Sequence, residues 1–115
     1  MYIYDKAHEL AGVLKESKEF QEYKSLKEKV YADERTRDLL EEYRKMQFEA
    51  QAAYLGGKEP DAGLMEKMQK LGELLQYNPD VTAFFMAERS FHCVLSDIYG
   101  IIGEAAEVDL SFLKE

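Results

Sequence analysis

The side chains best suited to catalysis or metal binding are His8, His92 and Cys93. A di-metal site in a helical bundle needs two Glu-x-x-His pairs and further inward carboxylates. The nearest matches are Asp5, three residues before His8, and Glu88, four residues before His92. Neither has the required residues at the required spacing, so the sequence predicts no di-metal site.

His92 and Cys93 are adjacent and form the other candidate, a nucleophile and its base. Neighbouring residues on a helix point about 100° apart, so these two side chains do not face each other. Cys93 is the only cysteine, which excludes an internal disulfide and a zinc site built from cysteines. No phosphate-binding loop or dinucleotide fingerprint occurs either, because Lys58-Glu59-Pro60 follows Gly56-Gly57. We therefore predict a protein that is not an enzyme and has no cofactor.

These residues lie in a chain whose apolar spacing predicts five helices and no strand. The helix boundaries are indicated by Ser17 and Asp33 as N-caps, Gly56-Gly57 as a break, Pro60 as the start of the fourth helix, and Asn78-Pro79-Asp80 opening the fifth. The residues expected on the apolar faces are Ile3, Ala7, Leu10, Leu14, Phe20, Tyr23, Leu26, Val30, Leu64, Met68, Leu71, Leu75, Val81, Phe84, Phe85, Phe91, Leu95, Ile98 and Ile102. The predicted fold class is all-α, a small oligomeric helical bundle with one long central helix hairpin and coiled-coil-like packing.

The third helix, from Asp33 to about Leu55, is predicted to be the longest. It carries a heptad seam at Thr36, Leu39, Tyr43, Met46, Ala50 and Ala53. At 1.5 Å per residue it would be roughly 34 Å long, too long for the short remaining elements to cover. We therefore expect self-association. The predicted oligomer or partner interface comprises Leu39, Tyr43, Met46, Ala50, Tyr54, Phe84, Glu88 and Phe91.

Glu88 occupies an otherwise apolar position between Phe84 and Phe91. One interpretation is a partly exposed edge position or a salt bridge to a neighbouring helix. The other is a buried polar residue that determines register or partner choice. Both interpretations stay open from the sequence.

The charge balance restricts the class of partner. The formal net charge is −8, which argues against direct binding to nucleic acid or to an anionic membrane. No apolar run approaches the roughly 20 residues of a membrane span, and the N-terminus lacks the features of a signal peptide. We expect a cytoplasmic protein that binds other proteins. Residues 1–103 are expected to form the helical domain, and residues 104–115 a tail that docks through Leu110 and Phe112.

The order of these features resembles the YlbF/YmcA family, which includes YheA-type proteins. The resemblance is carried by the Tyr4-Asp5-Lys6-Ala7 opening, the Ala32-Asp33 step into a long helix, the glycine break and the stretch from Asn78 to Ile102. It implies a helical, dimeric or larger cytoplasmic bacterial protein without enzymatic activity. The known members regulate competence, sporulation and biofilm formation, and associate with one another and with ribonuclease Y to affect RNA processing.

Those members also hold an iron–sulfur cluster with cysteines from several chains, whereas Cys93 here is alone and the tail has no cysteine. Two alternatives to a regulatory adaptor stay open: a YheA-like structural homo-oligomer of undefined role, and a small metal-binding protein. The sequence does not decide between them.

Overall fold

The computed structural model describes residues 2–109, and this part of the chain holds five α-helices and no strand. The helices are α1 (Tyr2–Glu16), α2 (Lys18–Ala32), α3 (Glu34–Leu55), α4 (Ala62–Gln76) and α5 (Pro79–Ala106). The predicted all-α class is confirmed. The longest described helix is α5, with 28 residues against 22 in α3. The prediction that α3 is the longest helix was wrong. The predicted docking of Leu110 and Phe112 lies outside the described residues.

Three of the predicted helix starts are confirmed by hydrogen bonds to the capping side chains. The Phe20 N–H donates to the Ser17 hydroxyl at 3.2 Å, and the Thr36 N–H donates to the Asp33 carboxylate at 3.0 Å. The Asp80 N–H donates to the Asn78 side-chain oxygen at 3.0 Å. Each cap satisfies a backbone N–H that has no partner inside its own helix. Local side-chain chemistry therefore defines where α2, α3 and α5 begin.

Two boundaries differ from the prediction. The helix α4 begins at Ala62 and not at Pro60, because Asp61 keeps an extended backbone (ψ 135°) and serves as the N-cap residue. The helix α5 continues to Ala106, past Ile102 and through Gly103, which is buried. It ends where Glu107 adopts φ 58° and the Val108 N–H donates to the Gly103 carbonyl at 2.9 Å, a Schellman-type stop.

The chain divides into two compact units, residues 1–27 with 84–115, and residues 28–83. In the second unit α3 packs against α4. The buried residues of this unit are Val30, Thr36, Leu40, Ala50, Leu71, Leu75 and Val81. The Lys29 ammonium and the Asp80 carboxylate, 3.3 Å apart, join the end of α2 to the start of α5 within the same unit. This unit thus has a continuous apolar core.

The buried residues of the first unit include two aromatic side chains, Phe84 and Phe91, beside Ala87 and Gly103. Phe84, only 1 % exposed, has its ring centroid 5.8 Å from that of Tyr23. The Phe91 ring lies 5.3 Å from Phe20 and 5.3 Å from Tyr23. Aromatic pairs at these distances stabilise a core beyond the area that they bury. These contacts join α2 to α5.

Candidate interaction surfaces

The helix α1 contains no buried residue. Its predicted stripe of Ile3, Ala7, Leu10 and Leu14 lies along one side, yet Ile3 is 69 % exposed and Leu10 42 %, and only Leu14 is half-buried. Tyr2, Tyr4 and Val13 border the stripe and are also exposed. We call these seven residues the α1 apolar face. Counted at 3.6 residues per turn, it spans roughly 200° of the helix.

One charged residue, Lys6, lies within that arc. Its ammonium is 3.1 Å from the Glu9 carboxylate and 5.6 Å from the centre of the Tyr2 ring. Both neighbours belong to α1 itself, so the positive charge is compensated locally and the aliphatic stem adds to the apolar surface. The α1 apolar face is therefore large and nearly neutral.

The predicted seam of α3 is mostly covered. Ala50 is buried and Leu39, Tyr43 and Met46 are half-buried, whereas Tyr54 is exposed. Leu40, which the seam prediction omitted, is fully buried. Because Thr36, Leu40 and Ala50 are the buried residues of α3, the covered side is rotated toward Leu40. Predicted interface residues of α3 thus lie at both covered and open positions.

The helix α4 packs against part of the α3 seam. The Tyr43 ring lies beside Gly72, where a Cβ atom would be 3.5 Å from Tyr43 Cε1. Met46 shares an open groove with Leu71 and Leu74, bordered by Glu42, Lys67 and Lys70. The small residue at 72 lets the large ring of α3 approach the α4 backbone. The α4 helix therefore packs against the α3 seam at Tyr43 and leaves Met46 in an open groove.

The interface residues predicted on α5 lie in different environments. Phe84 and Phe91 are buried in the aromatic cluster described above. Glu88 is half-buried, and its side chain takes part in a further interaction. The two rings therefore pack against rings of their own chain in this structure.

The three side chains singled out for catalysis or metal binding do not form a cluster. His8 and Cys93 are exposed and His92 is half-buried. Within residues 2–109 no group of three or more His, Cys, Asp or Glu side chains is arranged to hold a metal ion. None of the five helices combines the length and apolarity that a bilayer crossing requires. The α1 apolar face is one of several exposed apolar surfaces of the described chain; large apolar side chains are also exposed at Phe48, Leu55, Tyr77, Met86 and Ile101.

Comparison with known proteins identifies the family. The family model described as "Control of competence regulator ComK, YlbF/YmcA" matches residues 3–107. The chain belongs to the YlbF/YmcA family. The resemblance noted from the sequence is confirmed, and it extends over nearly the whole chain.

Relatives of this YlbF/YmcA member occur in several bacteria. A UPF0342 protein of Symbiobacterium thermophilum is 38% identical over 97% of this chain and 100% of its own length. Another, from Clostridium tetani, is 36% identical over 97% of each chain. The family is described as regulatory, and these relatives carry no enzymatic name.

Two solved structures share the fold of this YlbF/YmcA chain. A protein of unknown function (DUF964) from Bacillus stearothermophilus has a TM-score of 0.76 at 20% identity, covering 93% of this chain and 94% of the other. Bacillus subtilis RicA, solved in complex with RicF, has a TM-score of 0.62 at 22% identity, covering 92% and 94%.

Sequence reasoning did not single out the α1 apolar face as a surface. The stripe was recognised, but spacing alone does not show whether another element covers it. The available signal was the width of the arc, because Tyr2, Tyr4 and Val13 extend the apolar surface beyond the stripe. One narrow stripe suffices for packing against a single neighbouring helix.

Proposed function

We propose that this chain is a non-enzymatic regulatory adaptor of the YlbF/YmcA type, which acts in the cytoplasm by self-association and by binding other proteins. The α1 apolar face is the observation that carries the proposal. A soluble monomer seldom leaves a contiguous apolar patch of several hundred Å² in contact with water. A helix that exposes such a surface gains stability when a protein partner covers it.

The identity of the partners is inferred from the family. RicA was crystallised with RicF, and the family description names control of the competence regulator ComK. We infer that this chain likewise binds members of its own family and ribonuclease Y. Through them it would modulate RNA processing and thereby competence, sporulation or biofilm formation.

Electrostatics favours protein partners over nucleic acid. The net charge of −8 opposes binding to a phosphate backbone, which requires Lys and Arg side chains to displace counterions. Contact with RNA would therefore be made by the partner nuclease. An acidic adaptor is also attracted to basic protein surfaces, which raises the rate of encounter.

The test is capture of tagged chain from cells of its native host, followed by quantitative mass spectrometry. We expect enrichment of family members and ribonuclease Y over an untagged strain. Deletion of the gene should then alter the processing of transcripts that ribonuclease Y cleaves. Recovery of the chain alone, with unchanged transcript processing, would contradict the regulatory proposal and favour a structural homo-oligomer.

A further inference from the structure

We propose that the groove between α3 and α4 binds an amphipathic helix of a different protein, one that carries carboxylates along one edge of its apolar stripe. This proposal rests on the partner binding of the proposed function and names a surface that performs it. The groove lies within the second compact unit, and we call it the hairpin groove. Its lining residues are Glu42, Met46, Lys67, Lys70, Leu71 and Leu74.

The hairpin groove has the shape that a helix requires. Its two sides are α3 and α4, which pack against each other. From Lys67 to Leu74 it follows α4 for about 10 Å, or two helical turns. An amphipathic helix presents apolar side chains at positions i, i+3, i+4 and i+7 over the same length, and helices of this kind bind in apolar grooves.

The apolar part of the groove is open to an incoming side chain. Leu74 is 47 % exposed, and Met46 is half-buried. Covering such side chains stabilises a complex, and the unbranched Met46 adapts to the shape of what it contacts. The groove volume of about 290 Å³ is at the lower end of small-molecule sites, which also enclose most of their ligand. An open groove of this size therefore suits a helix better than a small molecule.

The charges at the rim determine which helix fits. Lys67 and Lys70 lie on the α4 side and Glu42 on the α3 side, which gives the rim two positive charges and one negative charge. The Lys70 ammonium is 3.1 Å from the Glu66 carboxylate, whereas Lys67 is exposed and forms no ion pair within residues 2–109. An edge of carboxylates on the bound helix therefore complements the α4 side, and an uncharged or basic edge complements Glu42.

The charge of the whole chain favours a different protein over a second copy. Two chains that each carry −8 repel each other at long range. A neutral or basic protein is not repelled, and one acidic helix edge is enough to reach the two lysines. Nucleic acid is not the occupant, because a phosphate backbone requires many more Lys and Arg contacts than this rim offers.

The test is a reciprocal exchange of charge between the groove and a probe peptide. The probe is a fluorescein-labelled helical peptide of about four turns, with an apolar leucine stripe, glutamate along one edge and glutamine along the other. A second probe has lysine in place of glutamate. Fluorescence anisotropy with the full chain gives a dissociation constant for each probe, and the ratio of the two constants is the readout.

We expect the parent chain to bind the glutamate probe. In Lys67→Glu with Lys70→Glu, the dissociation constant of the glutamate probe should rise at least about fivefold, and the preference should shift to the lysine probe. The control is Lys15→Glu with Lys18→Glu, outside the groove, which changes the net charge by the same amount and should keep the parental ratio. Leu74→Ala should weaken both probes and leave the ratio unchanged, because it removes apolar contact and no charge.

Circular dichroism checks that each variant keeps the parental helix content. Should the double glutamate variant unfold, Lys67→Gln with Lys70→Gln is used in its place, and its ratio should lie between those of the parent and an exchanged rim. No binding of the glutamate probe, or a parental ratio in the Lys67 and Lys70 variants, would overturn the proposal. A change of chain mass in light scattering of these variants would also overturn it, since the groove would then contact a second copy.

Capture from the native host separates this proposal from the proposed function. Partners recovered by the parent chain and lost from Lys67→Glu with Lys70→Glu, but not from the Lys15 and Lys18 control, would support the hairpin groove. Partners recovered equally by all three chains would keep the adaptor role and overturn the groove as its docking site. Recovery of no partner by the parent chain would count against both.

Discussion

The helices α1 and α3 carry the same kind of apolar repeat and differ in what covers it. In α3, Thr36, Leu40 and Ala50 are buried, and α4 packs against the seam. In α1 no residue is buried. The two repeats have similar spacing. Spacing alone therefore shows that a helix has an apolar face, and does not show which element packs against that face. The α3 helix packs against α4 of the same chain, whereas no described part of the chain buries a residue of α1.

This difference has an energetic counterpart. Covering an apolar side chain contributes about 25 cal/mol per Å² removed from water. The α3–α4 hairpin gains that free energy at every protein concentration. The exposed residues of α1 would contribute it only through contact with another molecule, and that contribution would depend on concentration. The three predictions below test this distinction.

The largest expected effect is that of Leu40→Ala. Leu40 is fully buried, so the substitution should lower the free energy of unfolding by about 2–5 kcal/mol through lost burial and the cavity left behind. The matched substitution Leu10→Ala, on α1, should cost less than about 1 kcal/mol in dilute protein, because Leu10 is already largely in contact with water. Urea unfolding followed by circular dichroism measures both.

Protein concentration separates the two leucines further. The loss at Leu40 should be the same in dilute and concentrated protein, whereas the loss at Leu10 should grow as concentration rises. Equal losses for both variants in dilute protein would break the comparison, since they would show that α1 is covered within its own chain.

An intermediate effect on stability is expected from replacing one glycine in α4 and one in α1. Gly72→Ala should raise the free energy of unfolding by about 0.5–1 kcal/mol, because alanine is the better helix former. The new methyl group would also contact Tyr43 at an ordinary 3.5 Å. Gly12→Ala has the same propensity advantage but meets nothing within 4 Å, so it should stabilise less. A loss of stability in Gly72→Ala would indicate that α3 and α4 are packed too closely for one more methyl group.

The smallest effect is the difference between the Asp33 and Ser17 caps, which acid reveals. The Thr36 hydroxyl and backbone N–H both donate to the Asp33 carboxylate, at 2.5 and 3.0 Å, and these bonds hold the pKa of Asp33 below its ordinary 3.8. A carboxyl whose pKa is lowered by folding stabilises the protein above its unfolded pKa. That stabilisation is lost as the pH falls through the folded pKa. Ser17, the cap of α2, does not titrate.

Thermal midpoints at neutral pH and at a pH below 3.8 measure this difference. Asp33→Asn should lower the midpoint at neutral pH and close its gap to the parent in acid. Ser17→Ala should lower the midpoint by a similar amount at both pH values. An Asp33→Asn variant whose deficit is unchanged in acid would show that Asp33 does not act as a charged cap.

The helices were predictable because their boundaries depend on neighbours in sequence. Ser17, Asp33 and Asn78 cap helices through bonds to residues two or three positions away, and such bonds can be anticipated from residue type. The end of α5 was not anticipated. Gly103 indicated a stop, but it lies buried inside the helix.

The candidate surface was less predictable because burial depends on contacts between distant parts of the chain. Leu40 and Leu39 are adjacent, yet Leu40 is fully buried and Leu39 only half-buried. Phe84 and Phe91 suited an interface by residue type, yet rings from α2 cover them. The α1 stripe suited a core and remains exposed. Residue type and spacing therefore do not determine which of these apolar side chains are buried.

Ser17 is the single residue between α1 and α2, and its hydroxyl serves both helices. It donates to the Leu14 carbonyl at 2.6 Å and accepts from the Phe20 N–H at 3.2 Å. No glycine or proline helps to break the helix there. The Gln21 side-chain amide of α2 also donates to the Lys15 carbonyl of α1 at 2.7 Å. The direction in which α1 leaves α2 thus depends on a few hydrogen bonds of polar side chains. In evolutionary terms, a single-codon change at this joint would re-aim α1 without changing any residue of the α1 apolar face.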